Sequence, residues 1–109
     1  MDENQILKML SALSQETRLR IVRYLVARGE DGATAGDVGK HVHAASSRAS
    51  FHLSTLENAG IVSSRRQSRH IVYRADIGSL GAMMSFLLND CCSGHPEIRA
   101  SCVAQGECC

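Results

Sequence analysis

At 109 residues and a net charge of +1, the chain has room for one compact domain and not for two. Hydrophobic residues make up 44% of it but aromatics only 4%, so aliphatic side chains must fill a small core, and a small core favours association. No apolar run approaches the roughly 18 residues that span a bilayer, and Met1 to Glu3 is acidic where a signal peptide is basic; the expectation is a cytoplasmic protein with no membrane partner.

Ile6, Met9, Leu10 and Leu13 recur at spacings of three and four, which predicts a first helix over Glu3 to Leu13 with Asp2 as its cap. Ser14 reads as the N-cap of a second helix reaching about Ala27, with Leu19, Val22 and Val26 on one stripe and Ile21 and Leu25 beside it; Gly29 and Gly32 end it. Thr34 followed by Asp37 resembles a capping box and starts a short third helix to about Val42. A fourth helix, about Ser46 to Ala59, carries a narrow core stripe of Ala49, Leu53 and Leu56 and stops at Gly60. At 100° per residue its opposite face holds Ser47, Phe51, Ser54 and Asn58, flanked by Arg48, Ser50 and Thr55.

Ile61 to Arg66 and Arg69 to Arg74 are β-prone runs around Gln67-Ser68, which predicts a hairpin. Asp76 caps a fifth helix whose stripe of Ile77, Leu80, Met84, Leu87 and Leu88 runs on toward Cys91. Beyond Ser93 the composition turns to Gly, Pro, Ser and polar residues without periodicity, the pattern of a tail. The expected division is a domain over 1–92 and a flexible cysteine-rich tail over 93–109, in a fold that is mainly α with a small β-hairpin wing.

Both the charge and the cysteines are unevenly distributed. From Arg48 to Arg74 five arginines face one acid, Glu57, for a local charge of +4, so the remainder of the chain is acidic. All five cysteines (Cys91, Cys92, Cys102, Cys108, Cys109) fall in the last nineteen residues. An odd number confined to one end is no secreted disulfide framework, which staples distant segments; ligands or redox thiols fit better.

Three helices, a turn-delimited recognition helix and a basic hairpin form the pattern of a winged helix-turn-helix. The stretches Leu13-Ser14-Gln15-Glu16-Thr17-Arg18-Leu19-Arg20-Ile21-Val22 and Ser50-Phe51-His52-Leu53-Ser54-Thr55-Leu56-Glu57-Asn58-Ala59-Gly60-Ile61-Val62, with the wing run Arg65 to Arg74, resemble the ArsR/SmtB family of metalloregulatory repressors over roughly residues 5 to 90. The resemblance implies an operator-binding repressor, and the residues suit that role. Ser47, Arg48, Ser50, Phe51, His52 and Ser54 are candidates for the major groove, where Arg48 can read a guanine edge and Phe51 a thymine methyl. Arg65, Arg66, Arg69 and His70 of the wing would meet phosphates or an adjacent minor groove.

Members of the family are usually homodimers built from the first and last helices. Here the fifth helix is apolar over more than a third of its circumference, and Ile6, Leu10, Leu80, Met84 and Leu87 are the candidate interface. The vicinal cysteines also resemble those of the arsenite-responsive members, in which a third cysteine joins from the tail. Three convergent sulfurs suit a trigonal As(III) or Sb(III) inducer, whereas zinc or cadmium ordinarily takes a fourth ligand. Cys91, Cys92 and Cys102 are therefore the expected site, with Cys108 and Cys109 as possible additional ligands and His95 as a possible fourth.

DNA binding itself needs no cofactor on this reading. The alternative within the same fold is a zinc, cadmium or redox sensor. An enzyme is not expected: a phosphatase-like arsenate reductase places five residues between its nucleophilic cysteine and an arginine, whereas six separate Cys92 from Arg99 and seven separate Cys91 from it. No cysteine precedes residue 91, and no histidine lies between Asp76 and Gly94, so other metal patterns of the family are missing. His41 and His43 read as surface or partly buried residues.

Overall fold

Local chemistry sets most of the element boundaries. The computed structural model describes residues 1–104, with side chains through Ser101. Its order is α1 (Glu3–Leu13), α2 (Glu16–Arg28), a 3-10 turn (Gly29–Asp31), α3 (Ala35–Val42), α4 (Ser46–Asn58), β1 (Val62–Gln67), β2 (His70–Ala75), α5 (Ile77–Ser85), a π-helix (Phe86–Cys91) and α6 (Pro96–Ala104).

Asp2 caps α1 by accepting the Gln5 N–H at 2.8 Å. Ser14 closes α1 instead of opening α2: its N–H donates to Leu10 and its hydroxyl to Ser11. Gln15 is the cap of α2, its side-chain oxygen accepting the Arg18 N–H at 2.7 Å. The capping box of α3 is complete, with Thr34 and Asp37 each accepting the other's backbone N–H. Gly60, at φ +81, takes the left-handed position that ends α4.

Met9, Ile21, Leu25, Val38, Leu53, Leu56 and Ile61 are fully enclosed, so the core is where α1 to α4 and the start of β1 converge. The inward face of α2 is Ile21, Val22 and Leu25. Leu19 and Val26, expected on the buried stripe, are 47% and 44% exposed. The helical period was correct but its phase was turned by about one residue.

The wing is an antiparallel pair with Val62 opposite Ala75 and Gln67 opposite His70, and Ser68 at φ 55 makes the turn. It is fastened to the helices by a bridge between Ala33 and Tyr73, whose N–H and C=O groups exchange bonds of 3.0 and 2.8 Å. Gly32 permits this approach, because a Cβ there would lie 2.5 Å from the Tyr73 carbonyl oxygen.

Toward the C-terminus the structure departs from expectation in three places. Asp76 does cap α5, accepting the Ser79 N–H at 3.0 Å, but Met83 points into the core and Met84 is 48% exposed. After Ser85 the ladder widens into the π-helix, where the Cys92 N–H reaches back five residues to Leu87 at 3.1 Å. The segment read as an irregular tail contains α6, with Pro96 at its first position and His95 Nδ1 accepting the Glu97 N–H. No helix of the described residues is long and apolar enough to cross a membrane.

Candidate functional site

Two surfaces carry the candidate chemistry, and they are presented by different parts of the chain. The first is the outer face of α4. Its inner residues Ala49, Leu53 and Leu56 are fully buried, which fixes the helix about its axis and turns Ser47, Arg48, Ser50, Phe51 and Ser54 to solvent. Phe51 is 67% exposed, so it does not pack beneath the wing. Ser47, Arg48, Phe51 and His52 line a shallow open depression of about 480 Å³. A large apolar ring between hydroxyls and a guanidinium is a surface matched to base edges and methyl groups.

His52 differs from its neighbours on this helix. It is half-buried, its Nδ1 is enclosed with no hydrogen-bond partner, and its ring lies edge-on to Phe51 at 6.1 Å. Burial first, then the positive charges of Arg18 and Arg48, hold its pKa below the ordinary histidine value. Arg18 beside it is itself pinned by a 2.6 Å bond from its Nε to the Ala12 carbonyl.

On the wing, Arg65, Arg66, Arg69 and His70 are all exposed. Arg74 is not available in the same way: its guanidinium meets Glu30 at 2.9 Å with only 20% of the side chain exposed. One of the five arginines that give this segment its local charge is thus spent on joining β2 to the 3-10 turn. Glu57 accepts the Ser64 hydroxyl at 2.6 Å and ties the end of α4 to β1. These partners are too far apart in sequence for their pairing to be read there. His41 stacks on Tyr24 at 4.1 Å, and His43 adopts the left-handed conformation that ends α3.

The second surface lies at the end of the π-helix. Cys91 is exposed and Cys92 half-buried, both as free thiols. Hydrogen bonding to Cys91, followed by desolvation and the Cys91 charge, holds the Cys92 thiol above the ordinary cysteine range. Adjacent thiols can be clamped by one large atom. Cys91 opens onto an apolar groove of about 330 Å³ between α1 and the C-terminal helices, shared with Glu3, Leu7, Leu10, Phe86, Leu87 and Asp90. The spacing analysis did not foresee this contact with α1, because it depends on tertiary packing.

Cys102 falls within α6, while Cys108 and Cys109 lie outside the described residues. Among the described residues no three His, Cys, Asp or Glu side chains cluster closely enough to hold a metal ion. His95 directs Nδ1 to its own helix cap, so that nitrogen is already engaged.

Of the expected dimer residues, Leu10 and Met84 are exposed at 37% and 48%. Leu80 and Leu87 are half-buried against the core, and Ile6, at 3%, belongs to the core of its own chain and has almost no surface to offer a partner. Leu7 and Ile77, outside that candidate set, are exposed at 56% and 59% and extend the apolar surface of α1 and α5.

Comparison with known proteins places this arrangement. A helix-turn-helix domain model matches residues 13–65, which run from the end of α1 into β1. The chain is 37% identical over 62 residues to YceK, an HTH-type transcriptional regulator of Bacillus subtilis strain 168, covering 57% of this chain and 61% of YceK. It therefore spans less than two thirds of that relative's length. It is 31% identical over 81 residues to the transcriptional repressor SdpR of the same organism, covering 74% of this chain and 87% of SdpR. A crystal structure described as a possible transcriptional regulator for arsenical resistance superposes with a TM-score of 0.64 at 32% identity, over 72% of this chain and 79% of that one.

Proposed function

Because the chain belongs to the ArsR/SmtB family of helix-turn-helix DNA-binding transcriptional regulators, we propose that it is a homodimeric repressor released from its operator by trivalent arsenic or antimony. The observation that carries the inducer assignment is the pair of adjacent free thiols, Cys91 and Cys92, at the end of the π-helix. Arsenite, As(OH)₃, exchanges its hydroxides for thiolates and releases one water for each As–S bond. Cys91 and Cys92 supply two of these bonds and Cys102 the third. Residues 1–92 read DNA and dimerise, and residues 93–109 complete the sensor.

Exposed Leu7, Leu10, Ile77 and Met84 supply apolar surface on α1 and α5 for a second copy of the chain. Such a two-fold dimer presents two α4 helices to successive major grooves of a palindromic operator. Cys91 shares its groove with α1, and Gln5 of α1 donates to the Ala59 carbonyl at the end of α4 at 3.0 Å. A ligand that reshapes the groove thereby acts on the dimer seam and on the recognition helix together. A coupling of about 1 to 3 kcal/mol, roughly 5- to 150-fold in operator affinity, is typical of such linkage.

The deciding experiment is operator release by arsenite, antimonite, cadmium and peroxide, measured on the parent chain, on Cys91→Ser, Cys92→Ser and Cys102→Ser, and on a truncation before Cys108. Loss of the metalloid response in all three substitutions with retention in the truncation supports the assignment. An unchanged response in Cys91→Ser and Cys92→Ser, or release by peroxide alone, overturns it. Cadmium and zinc displace protons from thiols, so their affinity rises with pH; arsenite expels water instead, and its affinity stays flat while the thiols are protonated.

A further inference from the structure

The last helix is held in place by few contacts, and one of them stands out. Ser93 and Gly94 both take the left-handed conformation, at φ 55 and 61, and reverse the chain immediately after the vicinal cysteines. The Gly94 N–H donates to the Leu88 carbonyl at 2.8 Å, closing the reversal against the π-helix. Beyond it, the Arg99 guanidinium of α6 donates to Asn89 Oδ1 of the π-helix at 2.7 Å. Asn89 is in turn oriented by its own donation to Ser85 Oγ at 3.3 Å. Gly94 leaves room for this arm, since a Cβ there would stand 3.3 Å from the guanidinium nitrogen.

Among the described residues, this is the one side-chain hydrogen bond that joins α6 to the π-helix. Arg99 and Cys102 are three positions apart, one turn along the same helix. Asn89 stands two and three positions before the vicinal cysteines. The bond thus connects the segment that bears two thiols to the segment that bears the third.

We propose that the Arg99–Asn89 hydrogen bond is a clip that keeps Cys102 at high local concentration beside Cys91 and Cys92, making Asn89 and Arg99 positioning residues of a three-thiol metalloid site. The inference rests on the metalloid reading above. Without the clip, Cys102 rides on a segment free to swing, and closing the third As–S bond carries the full entropy of ordering it. The first two bonds need no such ordering, because Cys91 and Cys92 are adjacent in the chain.

The two steps are separable by the valence of the probe. Arsenite takes three thiols; phenylarsine oxide, whose arsenic already carries one carbon, takes two and releases its oxygen as water. Binding of both to the full chain is measured for the parent, Asn89→Ala, Arg99→Ala and Cys102→Ser. The clip predicts that Asn89→Ala and Arg99→Ala weaken arsenite by about two- to tenfold, the scale of one hydrogen bond, with a larger loss in Cys102→Ser. Phenylarsine oxide should bind all four proteins within about twofold. Arsenite affinity unchanged in both clip variants overturns the proposal, as does an equal loss for the two arsenicals, which would mean the vicinal pair itself had been disturbed. Failure of the underlying reading looks different: Cys91→Ser and Cys92→Ser would then leave both arsenicals bound as before.

Discussion

The recognition helix and the sensing end are built to opposite standards of packing. Helix α4 buries Ala49, Leu53 and Leu56 completely and is tied at its end to α1 through Gln5 and to β1 through Ser64. From α5 onward Met83 alone is buried among the described residues, with Leu80, Phe86 and Leu87 packed half-buried against the core, while α6 is joined to the π-helix by the exposed Asn89–Arg99 pair. Positions that must meet a fixed base sequence are held by a close-packed core, which deforms only at high cost. On the proposed function, the positions that would rearrange around an arriving ligand are held by contacts worth about 1 kcal/mol each.

The largest expected effect tests that contrast directly. Leu53→Ala opens a cavity in the core and should cost about 2 to 5 kcal/mol, whereas Ile98→Ala on α6, where the side chain is 45% exposed, should stay within about 0.5 kcal/mol. Urea unfolding of both variants measures the difference. Equal losses would show that α6 belongs to the same cooperative core, and the contrast would fail.

Next in size are the effects on DNA, where α4 and the wing should separate by kind. Arg48→Ala removes a candidate base contact and should cost about 1 to 3 kcal/mol of operator affinity while relaxing sequence preference. Arg66→Ala should weaken binding evenly across sequences and flatten the dependence of log K on log salt by about 0.9. Arg74→Ala should leave that slope unchanged, because its guanidinium already neutralises Glu30. Titrations at several salt concentrations check all three, and a slope change in Arg74→Ala equal to that in Arg66→Ala would dissolve the distinction.

The same contrast governs what could be read from the sequence. The α3 capping box and the Asp2 and Asp76 caps were legible because donor and acceptor lie within three residues. Ser14 misled by one position, since a serine between two helices can close the first as readily as open the second, and here it closes α1. Periodicity located α2 and α5 but not their phase, because whether Ile21 or Leu19 turns inward depends on helices far along the chain. The π-helix has no sequence signature, and α6 was masked by its composition, although Pro96 followed by Glu97 is a helix-start signal. At the candidate site the vicinal cysteines were legible as a pair. The groove of Cys91 against α1 was not, nor was the 44-residue reach from Arg74 to Glu30.

The smallest effect concerns the half-buried His52 of the recognition helix. The folded chain holds His52 below its ordinary value of 6.5, mainly through burial and secondarily through Arg18 and Arg48. Between that lowered pKa and 6.5 the unfolded chain binds more protons than the folded one, so stability is fully present above 6.5 and declines as the pH falls through this window. Protonation would place a third positive charge beside two arginines with Nδ1 still lacking a partner. Urea midpoints recorded from pH 8 down to pH 5.5 should therefore fall more steeply for the parent chain than for His52→Gln, which has no proton to take up in this range. Identical slopes would mean that His52 is solvated in the folded state.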